Sequence, residues 1–341
     1  MAKVLFIGDM HLKINRFEAA KQFLKWTNQT IKDHKPDLIV NLGDTFDTHA
    51  IVRSEIMHEF MIHVEEAITV APYVYVVGNH CCYKPNDIKY HALSHVKNKV
   101  KDFYIVDSVQ NLFDITFVPY IHNPLQFPSQ TLPICVAHQT FKGADYGNIT
   151  TKDGVDASTV KGAELIVSGH IHKRQKLVAT ETTPEVFYPG SPFSQGVSDI
   201  NQVKGVSIIE TDTLKELFIP CPMPMWKGLS LTVDASFSIS DVHSTLLANI
   251  NSNDHWVLEI SGPKAEIVAY LGSKVYKEAA SQYSIKVKPT FTDKDKKQVK
   301  IEAISMEHIV SEFIDKIYSG NLDKTALKSK AVEIIAESRK L

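Results

Sequence analysis

Five short polar sequences each follow an apolar run. Asp9-Met10-His11 comes after residues 4–7, Gly43-Asp44 after 38–40, and Gly78-Asn79-His80 after 73–77. His138 closes the run 133–137, and Gly169-His170-Ile171-His172 follows 164–168. Open α/β folds place their sites at the carboxyl ends of strands, so five strands would deliver Asp, Asn or His side chains to one rim. A lone Asp-x-His is weak, because Asp and Asn commonly serve as turn residues at strand ends. Repetition at five strand ends makes that ordinary reading hard to sustain. The set contains hard and borderline ligands with no paired-cysteine spacing, which suits Mn, Fe or Zn and does not suit a structural zinc knuckle.

The elements needed to carry these groups can be read from periodicity. Residues 3–8 and 37–42 are expected as buried strands around an amphipathic helix at 16–34, a unit that pairs its strands in parallel. A second helix at 52–69 leads through Pro72 to a strand at 73–77. From 103 to 220 the strands become shorter: 103–106, 113–118, 133–137, 164–168, 176–180, 186–189, 205–210 and 214–219. They suggest a second, more antiparallel sheet. The resulting fold class is α/β: a layered two-sheet sandwich flanked by helices, with a small α+β domain and C-terminal helices behind it. Cys221-Pro222-Met223-Pro224-Met225 breaks the chain out of the core. The expected division is a catalytic domain at 1–221, a small capping or DNA-binding domain at 226–291, a charged linker at 292–305 and a helical segment at 306–341.

Composition bounds the rest. The chain has 341 residues, 44% hydrophobic and 22% charged, as an ordinary globular protein does. No apolar run approaches the ~20 residues of a membrane helix and no signal-peptide layout is present, so the cytoplasm is expected, or the host cytoplasm for a phage protein. The cysteines Cys81, Cys82, Cys135 and Cys221 form no disulfide framework and read as reduced thiols. A net charge of −2 gives no global attraction to nucleic acid. With Arg16, Arg53, Arg174 and Arg339 as its only arginines, the chain has few forks for reading bases.

The order Asp-x-His, Gly-Asp, Gly-Asn-His, His, Gly-His-x-His closely resembles the calcineurin-like metallophosphoesterase family over roughly the first 220 residues. The resemblance implies two divalent metals, Mn above Fe, Zn or Mg. One would be held by Asp9, His11, Asp44 and His172 and the other by Asp44, Asn79, His138 and His170, with Asp44 bridging. Two cations ~3.5–4 Å apart lower the pKa of a shared water and neutralise phosphate oxygens during in-line displacement. His80 resembles the family histidine that steadies transition-state charge and helps protonate the leaving oxygen. Gly43-Asp44-Thr45-Phe46-Asp47-Thr48, Tyr188-Pro189-Gly190-Ser191-Pro192 and the small domain resemble the SbcD-like nuclease branch, and the short total length looks phage-like. That branch implies exonuclease and endonuclease action on DNA ends without sequence specificity, in repair, recombination or replication. It also implies a homodimer, and a coiled-coil SMC-like ATPase of the SbcC type docked on 306–339. Methionines at helical spacing in 52–69 could serve that dimer or pack on their own sheet.

One departure concerns the residue after Gly-Asn-His, where the family usually has an acid and this chain has Cys81. A thiol orients an imidazole poorly, so Asp47 or Asp87 would have to do so, or His80 works with less support; a third reading makes Cys81 a metal ligand. Lys84, Lys89, Lys173 and Arg174 lie just beyond the motifs and could contact phosphates, although a solvated face is the commoner fate of each. Other readings are a phosphatase or cyclic-nucleotide phosphodiesterase of the same superfamily, which would need no small domain, and an inactive DNA-end-binding scaffold.

Overall fold

Strands that are apolar on successive residues must be covered on both faces, and the two main sheets show how. The computed structural model describes residues 2–47, 51–84, 86–147, 149–233, 238–292, 314 and 323–338. The chain divides into two compact units, 1–290 and 291–341. The first begins β1 (Lys3–Ile7), α1 (Phe17–His34), β2 (Leu38–Asn41), α2 (Ser54–Ala67), β3 (Tyr73–Val76), the hairpin β4 (Cys82–Lys84) and β5 (Asp87–His91), then β6 (Phe103–Val106). It continues with β7 (Gln110–Leu112), β8 (Ile115–Val118), β9 (Ile134–His138), β10 (Leu165–Gly169), β11 (Gln175–Leu177), β12 (Glu185–Tyr188), β13 (Gly205–Glu210) and β14 (Glu216–Pro220).

Six strands in the order β14-β13-β1-β2-β3-β6 form one sheet, and six in the order β11-β12-β10-β9-β8-β7 form the other. Along β1 the side chains alternate between faces. Val4 and Phe6 join Val40, Val74 and Val76 in the core between the sheets, opposite Phe117, Val136 and Val167 of the second sheet. Leu5 and Ile7 point the other way, onto Phe23 and Leu24 of α1 and Phe60 and Val64 of α2. Met57 and Met61 pack against this same core, so the methionine face of α2 is used on its own sheet. The outer face of the second sheet is covered by loop residues, with Phe127, Phe141, Val155 and Val160 over Cys135, Ile166 and Tyr188.

The expected antiparallel character of the second sheet is corrected. β8–β9, β9–β10 and β10–β12 are all parallel, and only the edge strands β7 and β11 run antiparallel. Short strands do not report their direction; connection length does, and crossovers of a dozen or more residues permit parallel pairing. Residues 119–133 and 139–164 are such crossovers. The strands at 103–106, 205–210 and 214–219 also belong to the first sheet, where β6 lies parallel to β3 and β13 antiparallel to β1.

Past Cys221 come β15 (Trp226–Thr232), α3 (Ile239–Asn249), β16 (His255–Gly262), α4 (Lys264–Gly272), α5 (Lys274–Gln282) and β17 (Ser284–Phe291). The three strands form a separate sheet in sequence order, with β15 and β16 parallel. Its own apolar core is built on Leu246, Leu258, Ile260, Ile267 and Tyr270. Two helices precede the last strand, broken at Gly272-Ser273, with Ser273 capping the second through its hydroxyl. In the second unit α6 (Lys324–Ser338) is described. The expected linker beyond Thr292, and the expected helix near 306–318 apart from Ile314, lie outside the described residues.

Candidate metal centre

Three of the ligand-type residues sit on backbone that side-chain-bearing residues seldom adopt. His11, Asp44 and His170 have positive φ of 42°, 46° and 84°. Strain of this kind persists only where the surroundings over-determine it, and it clusters at functional sites. Here the surroundings are identifiable. His11 N–H donates to the Asp44 carbonyl at 2.9 Å, and Leu12 N–H to that of Thr45 at 2.8 Å, joining the loops after β1 and β2. Asn41 accepts from Gly43 N–H at 3.0 Å and donates to Thr45 Oγ1 at 2.7 Å, bracing the Gly43–Thr45 turn from below. The His170 N–H donates to both oxygens of Asp9 at 3.1 and 2.9 Å, and the His80 N–H to Asp44 Oδ1 at 2.8 Å.

Asp9, His11, Asp44 and His138 are buried. One oxygen or ring nitrogen each of Asp44, His138 and His170 lie within 4.8 Å of one another. Asn79 completes this group, its Oδ1 standing 3.1 Å from His138 Nε2 and 2.9 Å from His170 Nδ1. Beside it, His11 Nε2 and His172 Nε2 face each other at 3.0 Å. Asp9 Oδ1 lies 3.5 Å from His138 Nδ1. All seven ligand-type residues therefore meet in one place.

The chemistry of this set can be tested against a cation. His138 Nδ1 is 2.7 Å from the Leu42 carbonyl, which can only accept, so Nδ1 carries a proton. Its Nε2 then faces Asp44 Oδ2 at 3.1 Å and Asn79 Oδ1 at 3.1 Å. A neutral imidazole would aim a lone pair at two oxygens. That arrangement is relieved either by a second proton or by a metal ion among the donors, and a carbonyl fixing the other nitrogen is the usual support of a metal-bound histidine. In the protein by itself, burial disfavours charge on His138, but the Asp44 and Asp9 carboxylates outweigh it and push its pKa up to about 9. For Asp44 burial is likewise outweighed, here by His138, His11 and His80, which hold it low. Burial and the neighbouring His138 lower His170 to about 4. Nitrogen and carboxylate donors of this kind fit divalent cations.

The surrounding side chains separate the sequence readings. His80 is half-buried, its Nδ1 3.3 Å from the Asp47 main-chain carbonyl and its ring edge-on to His11 at 4.8 Å. The orienting contact thus comes from Asp47, through its backbone. The Asp47 carboxylate instead stands 3.5 Å from His11 Nδ1 and 2.9 Å from Lys13 Nζ, and these neighbours, His11 first, hold its pKa low. Cys81 turns away from the centre: its Sγ is buried 2.8 Å from the Tyr75 hydroxyl, and burial pushes its pKa up to about 12. It is neither a ligand nor the partner of His80. Lys173 lines a depression with Tyr146, His170 and His172, where it pairs with Asp145. Arg174 does not join them; it binds Glu216 at 2.6 Å and stacks between Phe187 and Phe218. Lys84 and Lys89 are exposed on β4 and β5.

Two further residues border the site without having stood out in the sequence. Tyr120 lies 6.0 Å from the His170 ring and 6.3 Å from that of His138. It follows β8 closely and so shares the strand-end position of the ligands, but a tyrosine is not a ligand type for the metals considered. Lys204, buried with Asp199 at 2.9 Å, donates to the His172 carbonyl at 2.7 Å. No local motif marks that role.

The chain is 27% identical over 311 residues to protein 078R of Invertebrate iridescent virus 3, covering 84% of this chain and 85% of that one. It is 23% identical to the SbcD subunit of the nuclease SbcCD from Staphylococcus epidermidis (64% and 69% covered) and 21% identical to Exonuclease subunit 1 of Enterobacteria phage T4 (64% and 67% covered). Among the described residues no helix is long and apolar enough to cross a membrane. A family model described as calcineurin-like phosphoesterase matches residues 2–174, half of the chain, and the chain belongs to that family.

Proposed function

We propose that this protein is a Mn-dependent nuclease that hydrolyses phosphodiester bonds at DNA ends, the catalytic subunit of an SbcC–SbcD-like break-processing complex. The observation that carries the reading is the convergence of Asp44, Asn79, His138 and His170 on one point with the His11–His172 pair beside it. The nuclease names of two relatives, from Staphylococcus epidermidis and phage T4, support DNA over other phosphate esters. Asp9, His11, Asp44 and His172 would hold one ion, and Asp44, Asn79, His138 and His170 the other. Bound there, the ions supply an acidified water and neutralise the phosphate.

The rest falls to the chain's own side chains. Asp9 and Asp44 accept the main-chain N–H groups of His170 and His80, so each carboxylate also fixes the position of a histidine. As an imidazolium, His80 donates Nδ1–H to the acceptor-only Asp47 carbonyl and gives its Nε2 proton to the leaving-group oxygen, ending neutral with Nδ1 still protonated. Lys173, on the rim, is a phosphate contact once released from Asp145. Residues 226–291 act as a small capping domain, and 306–339 dock the ATPase. A chain truncated after Thr292 is expected to lose ATPase binding in a pull-down while keeping its metals; retained binding would remove 306–339 from that role.

Mn-dependent hydrolysis of linear duplex DNA beside bis-p-nitrophenyl phosphate, with wild type and His80→Ser, tests the reading. Loss of about 100-fold or more in DNA cutting by the variant is expected of a general acid. Hydrolysis of the small ester alone by wild type would contradict the nuclease reading and indicate a small-molecule phosphodiesterase.

A further inference from the structure

The β4–β5 hairpin issues directly from the short turn Asn79–Cys81 that carries Asn79 and His80. Its inner side is fastened down: Cys82 and His91 are buried and pair with each other, and Ile88 packs on the main core. Its outer side carries two large aromatics in water. Tyr83 and Tyr90 are each 59% exposed, and each lies one residue beyond the Cys82–His91 pair, on opposite strands. Each also has a lysine ammonium over its ring, Lys84 at 5.5 Å from Tyr83 and Lys89 at 5.3 Å from Tyr90. Single exposed aromatics are ordinary, but two of them on one hairpin, each with a lysine ammonium over its ring and next to the His80 turn, suit a ligand with flat faces and negative charge.

We propose that this hairpin is a stacking platform for an unpaired nucleic-acid strand, with Tyr83 and Tyr90 receiving bases and Lys84 and Lys89 the flanking phosphates. The inference rests on the nuclease reading and adds to it the form of the substrate: a frayed or single-stranded end in place of intact duplex. Bases offer their faces to a side chain only when unstacked, and aromatic-lysine surfaces bind single strands with little regard for sequence. That tolerance agrees with a chain poor in arginine forks. The reach is suitable. Three residues of chain separate His80 from Tyr83, at most about 11 Å. The platform therefore grips the strand close to the phosphate being cut.

The test uses the full chain with Mn and a fluorescein-labelled 12-nucleotide single strand of mixed sequence, comparing wild type, the double variant Tyr83→Ala/Tyr90→Ala and the double variant Tyr83→Phe/Tyr90→Phe. Stacking predicts that the alanine pair weakens binding by anisotropy about tenfold or more, while the phenylalanine pair binds as wild type does. It also predicts a fall in kcat/KM for the oligonucleotide relative to bis-p-nitrophenyl phosphate, carried by KM, and tighter wild-type binding to the single strand than to a blunt duplex of the same length. Binding and cutting by wild type that are indifferent to both alanines would overturn the platform alone. A wild-type protein that hydrolyses the small ester but neither binds nor cuts the oligonucleotide would overturn the platform together with the nuclease reading.

Discussion

Gly78 illustrates at the residue scale why the site motifs are spelled with glycine. A Cβ at Gly78 would lie 2.8 Å from the Asp44 nitrogen and 2.8 Å from His138 Cε1, a backbone atom and a fixed ring. One at Gly169 would stand 2.8 Å from His138 Nδ1, and one at Gly43 2.6 Å from the same nitrogen. Three glycines from three strand ends thus crowd one imidazole, because the ligands can converge only if the backbones between them come close. Gly78→Ala is expected to weaken Mn binding about tenfold or more by displacing Asp44 or His138, read by titration calorimetry. A variant with wild-type affinity would show that the glycine is not required there. All seven ligand-type residues were legible as short local patterns. The support for His80 was not, because a main-chain carbonyl such as that of Asp47 leaves no mark on residue type. Tyr120 and Lys204 were hidden for a related reason: neither is a residue type that a metal-ligand pattern selects.

At the scale of elements, α1 and α2 are joined to the sheet by buried polar groups as well as by apolar packing. His63 on α2 is fully buried, with Nδ1 2.5 Å from Asn28 Oδ1 of α1 and Nε2 3.3 Å from the Tyr73 hydroxyl of β3. The Tyr73 hydroxyl also accepts from Asn41, which braces the Asp44 turn. Burial lowers the His63 pKa from 6.5 to about 4, opposed weakly by Glu66. Between those values the unfolded chain takes up a proton that the folded one refuses, so stability falls as pH drops from about 6.5 to about 4. The loss is on the order of 3 kcal/mol at the lower end. Urea midpoints at pH 7 and 4.5 should show a smaller acid loss in His63→Gln than in wild type; equal losses would mean that His63 does not titrate in this way. Hydrophobic periodicity revealed these helices and strands almost to the residue. It could not reveal strand direction in the second sheet, which depends on where the crossovers at 119–133 and 139–164 return the chain.

For the whole molecule, the sandwich turns sequence order into a site. Parallel β1, β2 and β3 in one sheet and parallel β9 and β10 in the other bring five carboxyl ends to one rim, so residues as distant as His11 and His172 meet at 3.0 Å. A net charge of −2 leaves the molecule without a long-range pull on nucleic acid. Affinity must then come from bound cations, from local surfaces such as the β4–β5 hairpin, or from a partner. The three-stranded sheet after Cys221 has its own apolar core, and the proline-broken stretch before it marks where the chain leaves the two-sheet sandwich.

The proposed function requires that the Asp44 centre hold a pair of divalent ions on which hydrolysis depends. Counting Mn bound per chain by elemental mass spectrometry, alongside bis-p-nitrophenyl phosphate hydrolysis after chelation and Mn re-addition, tests this directly in wild type and Asp44→Asn. Two ions per wild-type chain, hydrolysis abolished by chelation and restored by Mn, and loss of both ions and activity in the variant are predicted. Hydrolysis that survives chelation, or an Asp44→Asn protein that binds and turns over as wild type does, would mean that hydrolysis does not depend on ions held at Asp44.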